Sequence, residues 1–168
     1  MDKLANGDEL SPAIEFLEAG EYTEARKWLT NFIEAHPEDP ESLSLLSKVL
    51  LLDNQVLESE RSLLAAATIS PDLLSVHLNQ ARLWLKQAKP VEALEKARAG
   101  HELAPEDSES CLVLAACLSA NQRDHEAVPL LEKALQAKPN YAEAFASRAL
   151  LRLKKKNITG AIKDAEAA

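Results

Sequence analysis

The residue types that most often perform catalysis or bind metals are few in this sequence and stand apart. His101 and His125 are each followed by glutamate, as in the zinc-binding pattern His-Glu-x-x-His, but a proline occupies the second histidine position in both cases. With only four glycines, no Gly-rich phosphate-binding loop can be formed, and no Gly-x-Ser-x-Gly motif is present. The sequence therefore predicts a protein without catalytic residues, metal or cofactor.

The two cysteines, Cys111 and Cys117, are predicted to be buried apolar residues rather than a disulfide or a reactive pair. Six residues apart on one helix, they lie about 240° apart around its axis and cannot bond to each other. Reduced cysteines fit a cytoplasmic protein, which is the expected location.

Composition points to an acidic, helical chain. Its 168 residues contain 19 basic and 27 acidic side chains, giving a net charge of −8, which argues against a nucleic-acid partner. Aromatic residues make up 4%, and the abundant Ala, Leu, Glu and Lys favour helix over strand. No apolar run reaches the about 18 residues that a membrane span needs, and residues 1–10 lack the apolar core of a secretory signal. We expect neither a membrane nor a nucleic acid as partner.

Four prolines stand in strict register. Pro37, Pro71, Pro105 and Pro139 are each 34 residues apart. Self-similarity at this period is typical of stacked helix pairs, so the chain is predicted to form one domain over residues 1–168. With each proline at position 32, the repeats are 6–39, 40–73, 74–107 and 108–141, with a truncated fifth at 142–168.

Small residues recur at two positions of this repeat. The residues at positions 8 and 20 are alanine or serine in all five repeats: Ala13, Ser47, Ala81, Ala115 and Ala149, then Ala25, Ser59, Ala93, Ala127 and Ala161. Period, small residues and proline together resemble the tetratricopeptide repeat family. That resemblance covers almost the whole chain and implies an all-α, right-handed solenoid of antiparallel helix pairs.

Local signals place the helices within each repeat. Apolar residues at helical spacing form one stripe over positions 4–11 and a second over positions 20–28. Gly20 suits the positive φ that ends a helix, and Asp39 and Asp107 are predicted N-caps, with Pro40 at a first helical position. We expect nine helices, each pair stacking on the next.

The resemblance also implies a binding surface. In this family the concave groove is lined by the first helix of each pair at positions 2, 5, 6, 9, 12 and 13. The predicted groove residues are Lys48, Leu52, Ser75, Asn79, Arg82, Lys86, Leu112, Val113, Ala116 and Ser147. Lys48, Arg82 and Lys86 would favour a peptide with an acidic group beside apolar anchors, although these bases could instead only neutralise neighbouring glutamates. The lysine and asparagine set that family members use to bind a C-terminal carboxylate is missing.

The last repeat suggests a contact with further protein. Arg148 and Arg152 occupy packing positions, where they could mark contact with another element or chain. Ile158, Ile162 and Ala165 would leave an apolar face open, which predicts an N-terminal part of a longer protein.

Three functions remain open from the sequence. The first is a non-enzymatic scaffold for a peptide or partner domain. The second is a regulatory or substrate-docking arm of a larger enzyme of the glycosyltransferase or sulfotransferase type. The third is self-association through the open end of the chain.

Overall fold

A computed structural model describes residues 9–168, all of whose regular structure is helical. The start of the first repeat, at residues 6–8, lies outside the described part. The ten helices are α1 (Ser11–Glu18), α2 (Tyr22–Ala35), α3 (Pro40–Leu52), α4 (Val56–Ile69), α5 (Leu74–Lys86), α6 (Pro90–Leu103), α7 (Ser108–Ala120), α8 (Asp124–Ala137), α9 (Ala142–Lys154) and α10 (Ile158–Ala167). The expected nine helices were one too few, because the truncated fifth repeat still has enough residues to form its second helix.

The helix boundaries recur at the same repeat positions. From α3 onward, every first helix spans positions 1–13, and the four complete second helices span positions 17–30. Each complete second helix ends two residues before its closing proline, as predicted from proline's missing N–H and its effect on the preceding residue. Asp39 and Asp107 accept hydrogen bonds from the backbone N–H of Ser42 and Ser110, which confirms both N-caps.

The turn inside each pair uses the left-handed conformation at position 15 in all five repeats. The residues there and their φ angles are Gly20 (75°), Asn54 (60°), Ala88 (57°), Gln122 (61°) and Lys156 (59°). In every case the next backbone N–H bonds back to the carbonyl at position 11, as in a Schellman motif. From the sequence, this geometry was predicted only at Gly20. Asparagine, as at Asn54, also adopts positive φ, whereas alanine, glutamine and lysine rarely do.

Tertiary contacts divide the chain into two compact units, one up to Leu83 and one from Trp84 to Ala168. In the first unit, α2 packs on both α1 and α3, and α3 packs on α4. Leu29 of α2 is fully buried in a cluster with Val49 of α3, and Leu63 of α4 is buried in a second cluster. These contacts bury the apolar stripes that a single helix pair would leave exposed.

In the second unit, α7 is the central helix. It packs on α6, α8 and α9, while α9 packs on α8 and α10. Seven apolar residues between Cys111 and Leu118 of α7 are buried, so this helix is enclosed on nearly all sides. Cys111 and Cys117 are free thiols within this core, as predicted.

The ten small residues at positions 8 and 20 are all buried. In the second repeat both positions hold serine, and the two buried hydroxyls satisfy each other's hydrogen bonds. The Oγ atoms of Ser47 and Ser59 are 2.8 Å apart, and Ser59 also donates to the Ser47 carbonyl at 2.9 Å. Two hydroxyls thus replace two methyl groups without leaving either polar group unpaired.

Among residues 9–168, no helix combines the length and the apolar content that crossing a membrane requires.

Candidate protein-binding surface

In the first unit, the predicted groove residue Asn79 bonds inside the protein. It is 2% exposed, and its Nδ2 donates to the carbonyl oxygen and the Oγ of Ser44 at 2.9 and 3.0 Å. Its Oδ1 accepts from Arg82 at 3.2 Å. Asn79 therefore links α5 to α3 and orients the Arg82 guanidinium.

Ser75, one turn before Asn79, makes a second link between these helices. Its hydroxyl donates to a carboxylate oxygen of Glu41 at 2.9 Å. Glu41 and Ser75 are 34 residues apart in sequence and occupy position 2 of successive repeats. The polar residues at positions 2 and 6 thus hold one first helix against the next.

Exposed groups remain at the C-terminal ends of α3 and α5. Leu52, the last residue of α3, is 42% exposed, and Lys48 lies one turn before it, half-buried. Lys86, the last residue of α5, is exposed, one turn after the half-buried Arg82. Residues four apart share a helix face, so each helix carries a base at the positions predicted for the groove.

The predicted groove residues of α7 and α9 are more enclosed. Leu112 and Val113 of α7 are 5% and 2% exposed, while Ala116 and Ser147 are half-buried. The first two side chains contribute to the core of the unit, and a partner could reach them only at their edges.

The most exposed apolar side chains at predicted groove positions belong to α9. Leu150 and Leu153 are 63% and 51% exposed and lie three residues apart, on one helix face. Lys154 follows directly, and its Nζ donates to Ser119 at 3.0 Å and pairs with Asp124 at 3.3 Å. Although desolvation raises the pKa of Asp124, the hydrogen bonds from Ser119 and Lys154 bring that pKa below its usual value.

Arg148 and Arg152 bind a buried carboxylate that the sequence reasoning missed. Asp164 of α10 is 1% exposed and accepts two bonds from Arg148, at 2.9 and 2.7 Å. Arg152 pairs with it at 2.8 Å and donates to the Gly160 carbonyl at 3.0 Å. The hydrogen bond to Asp164 raises the pKa of Arg148 above its ordinary value. The arginines therefore join α9 to α10. In the sequence, two basic residues at packing positions were the signal from which a buried acidic partner could have been predicted.

His101 has a structural role at the junction of α6 and α7. Ser110 donates to the Ala104 carbonyl at 2.7 Å, so its oxygen accepts from His101 Nδ1 at 3.0 Å. Desolvation, followed by the charge of Lys133, holds the pKa of His101 below its usual value. Within residues 9–168, no group of three His, Cys, Asp or Glu side chains is placed to hold a metal ion.

Comparison with known proteins agrees with the geometry of the repeats. A family model described as tetratricopeptide repeat matches residues 13–73. A thermophilic TPR protein of Thermus thermophilus has a similar structure, with a TM-score of 0.82 and 17% identity over 97% of this chain and 90% of that one. No protein in a curated set of sequences matches the chain.

Two further structures are similar at lower TM-scores. The pilF protein of Pseudomonas aeruginosa has a TM-score of 0.67 and 18% identity, over 97% of this chain and 74% of that one. YrrB, described as a TPR protein with an unusual peptide-binding site, has a TM-score of 0.57 and 17% identity, over 92% and 80% of the two chains. At these identities the structural similarity establishes the fold.

Proposed function

Because this chain contains a tetratricopeptide repeat domain, we propose that it is a non-enzymatic scaffold that binds a peptide or partner domain along its first helices. Repeat arrays present such helices at a regular spacing, which suits an extended partner. YrrB, which shares the fold, is described as having a peptide-binding site. The fold is compatible with many partners, so the choice of ligand depends on the side chains at the surface.

One observation carries the proposal. At the predicted groove positions, leucines and bases are among the side chains that stay accessible, whereas the amide of Asn79 is buried. Leu52 and Lys86 are exposed in α3 and α5, and Leu150 and Leu153 in α9. Within each unit, side chains of these types favour apolar anchors accompanied by a carboxylate, and buried leucine contacts contribute more affinity than solvated ion pairs. We therefore propose a partner that carries an acidic group beside apolar residues.

The test replaces the two bases of α5 together. Arg82→Ala with Lys86→Ala should reduce capture of an interacting protein by about tenfold, because a partner carboxylate loses both of its cations. The matched control is Lys27→Ala with Arg61→Ala, which removes one lysine and one arginine from exposed sites on second helices.

The readout is quantitative mass spectrometry of proteins captured from a cell extract, followed by titration of any captured protein against each variant. Equal affinities for the double variant and its control would refute the groove assignment. A captured protein whose acidic and apolar residues can both be replaced without loss of affinity would refute the partner chemistry.

A further inference from the structure

Asn79 stands at a predicted groove position but is buried against α3. It is 2% exposed, and its Nδ2 donates to the carbonyl oxygen and the Oγ of Ser44 at 2.9 and 3.0 Å. An amide NH2 group has two hydrogens, so these two bonds use both of its donors. The Asn79 amide nitrogen is therefore committed to α3 and does not bind a partner in the groove.

The bonds to Ser44 also decide where the amide oxygen lies. They hold Nδ2 towards α3, and Oδ1 on the other branch of the amide accepts from Nη1 of Arg82 at 3.2 Å. The flipped amide would set its NH2 group against the guanidinium and its oxygen against the Ser44 carbonyl, so that donors face donors and acceptors face acceptors. Through Asn79, helix α3 thus restricts where the Arg82 guanidinium lies.

The guanidinium of Arg82 is planar, so a bond to one of its nitrogens restricts the whole group. Arg82 is half-buried and follows Asn79 by three residues on α5. Asn79 binds at Nη1, whereas Nε and Nη2 form another edge whose two parallel N–H bonds match the two oxygens of a carboxylate. Fixing the plane of the group in advance reduces the entropy that is lost when a carboxylate binds.

We propose that Asn79 is a positioning residue, which holds Arg82 so that its Nε–Nη2 edge binds a carboxylate of the partner through two parallel hydrogen bonds. This inference rests on the proposed function and adds which base selects the partner. The ammonium groups of Lys48 and Lys86 supply charge, but an ammonium group has no planar edge and attracts anions of any shape. Position 82 therefore requires arginine, whereas a lysine there would keep the charge and lose much of the preference for a carboxylate.

The first experiment tests the positioning in the free protein. Nitrogen-15 NMR of the whole chain measures how fast the Arg82 guanidinium rotates about its Nε–Cζ bond, with the exposed Arg61 of α4 as internal reference. Rotation should be about tenfold slower at Arg82, because the bond to Asn79 must break first, and equal rates would overturn the proposal. Asn79→Leu should remove the difference. Ser44→Ala is the matched control, since it disturbs the same buried contact but keeps the Ser44 carbonyl bonded to Asn79.

The second experiment titrates each variant with three short peptides. Acetylated and amidated Leu-Glu-Leu carries only a side-chain carboxylate, the same peptide with glutamine carries none, and the glutamine peptide with a free C-terminus carries only a terminal one. Wild-type protein should bind a carboxylate peptide about tenfold more tightly than the uncharged one, and the two carboxylate peptides identify the source. Asn79→Leu and Arg82→Lys should each reduce that preference to about twofold, with no further loss when combined, whereas Ser44→Ala should keep it.

Failure of this proposal and failure of the proposed function give different results. Equal binding of all three peptides by the wild type would refute the carboxylate chemistry of the groove, and the role of Asn79 with it. A carboxylate preference that survives Asn79→Leu, or that falls equally in Ser44→Ala, would refute the positioning alone. If Asn79→Leu does not fold, Asn79→Asp replaces it: the new carboxylate beside Arg82 should occupy the guanidinium and abolish the preference. An unchanged preference in that variant would overturn the proposal as well.

Discussion

Replacing Ala88 with glycine should stabilise the protein. Ala88 stands at position 15 of its repeat, where all five turns are left-handed, and its φ is 57°. In this conformation the Cβ of an L-residue approaches the following carbonyl oxygen, which costs about 1–2 kcal/mol. Glycine has no Cβ, and the two hydrogen bonds of the turn, from the N–H groups of Ala88 and Lys89, use only the backbone. Ala88→Gly therefore removes strain and leaves the turn bonded.

The gain is reduced by the unfolded state. Glycine has more conformational freedom to lose on folding, at a cost of about 0.5–1 kcal/mol relative to alanine. The net stabilisation should be about 0.5–1 kcal/mol. For a chain of 168 residues this corresponds to a rise in Tm of about 1–4 °C.

The assay is urea unfolding followed by circular dichroism, with Ala146→Gly as the matched control. Ala146 is exposed within α9, in the same unit, and has ordinary helical geometry. The same chemical change there should destabilise the protein by about 1 kcal/mol. If Ala88→Gly lowers stability as Ala146→Gly does, the left-handed strain assigned to position 15 is refuted.

The remaining predictions concern buried polar groups. Asp164→Ala leaves the half-buried Arg148 and Arg152 without the carboxylate they share and should cost about 3–5 kcal/mol, seen as faster amide hydrogen exchange throughout α10. The exposed Glu166→Ala should change little, and equal exchange in the two variants would contradict a structural role for the buried carboxylate. Ser59→Ala removes the partner of Ser47 and should cost about 1–3 kcal/mol in urea unfolding, whereas the double change to alanine at both positions should be nearly neutral. A double variant as unstable as the sum of the single ones would show that the hydroxyls do not compensate each other.

The 34-residue period, the helix boundaries and the N-caps were all predictable from the sequence. These features depend on local chemistry. Proline disfavours helical geometry in the residue before it, and the Asp39 carboxylate accepts from the backbone N–H of Ser42, only three residues away. The small residues at positions 8 and 20 were also visible, because close helix approach restricts side-chain size. The count of helices failed only at the fifth repeat, where a truncated segment still forms α10.

Tertiary structure decided which atoms meet. The bond from Asn79 to Ser44 joins residues 35 apart in the chain, and the bond from Arg148 to Asp164 joins residues 16 apart. Leu112 lies in the core because neighbouring helices enclose it. The left-handed turn at Ala88 has the same origin, because the packing of the helix pair imposes a conformation that alanine alone would avoid. Sequence periodicity thus determines where helices begin and end. The pairing of buried polar groups and the accessibility of each helix face are decided only when the helices pack, because they depend on distances between segments far apart in the chain.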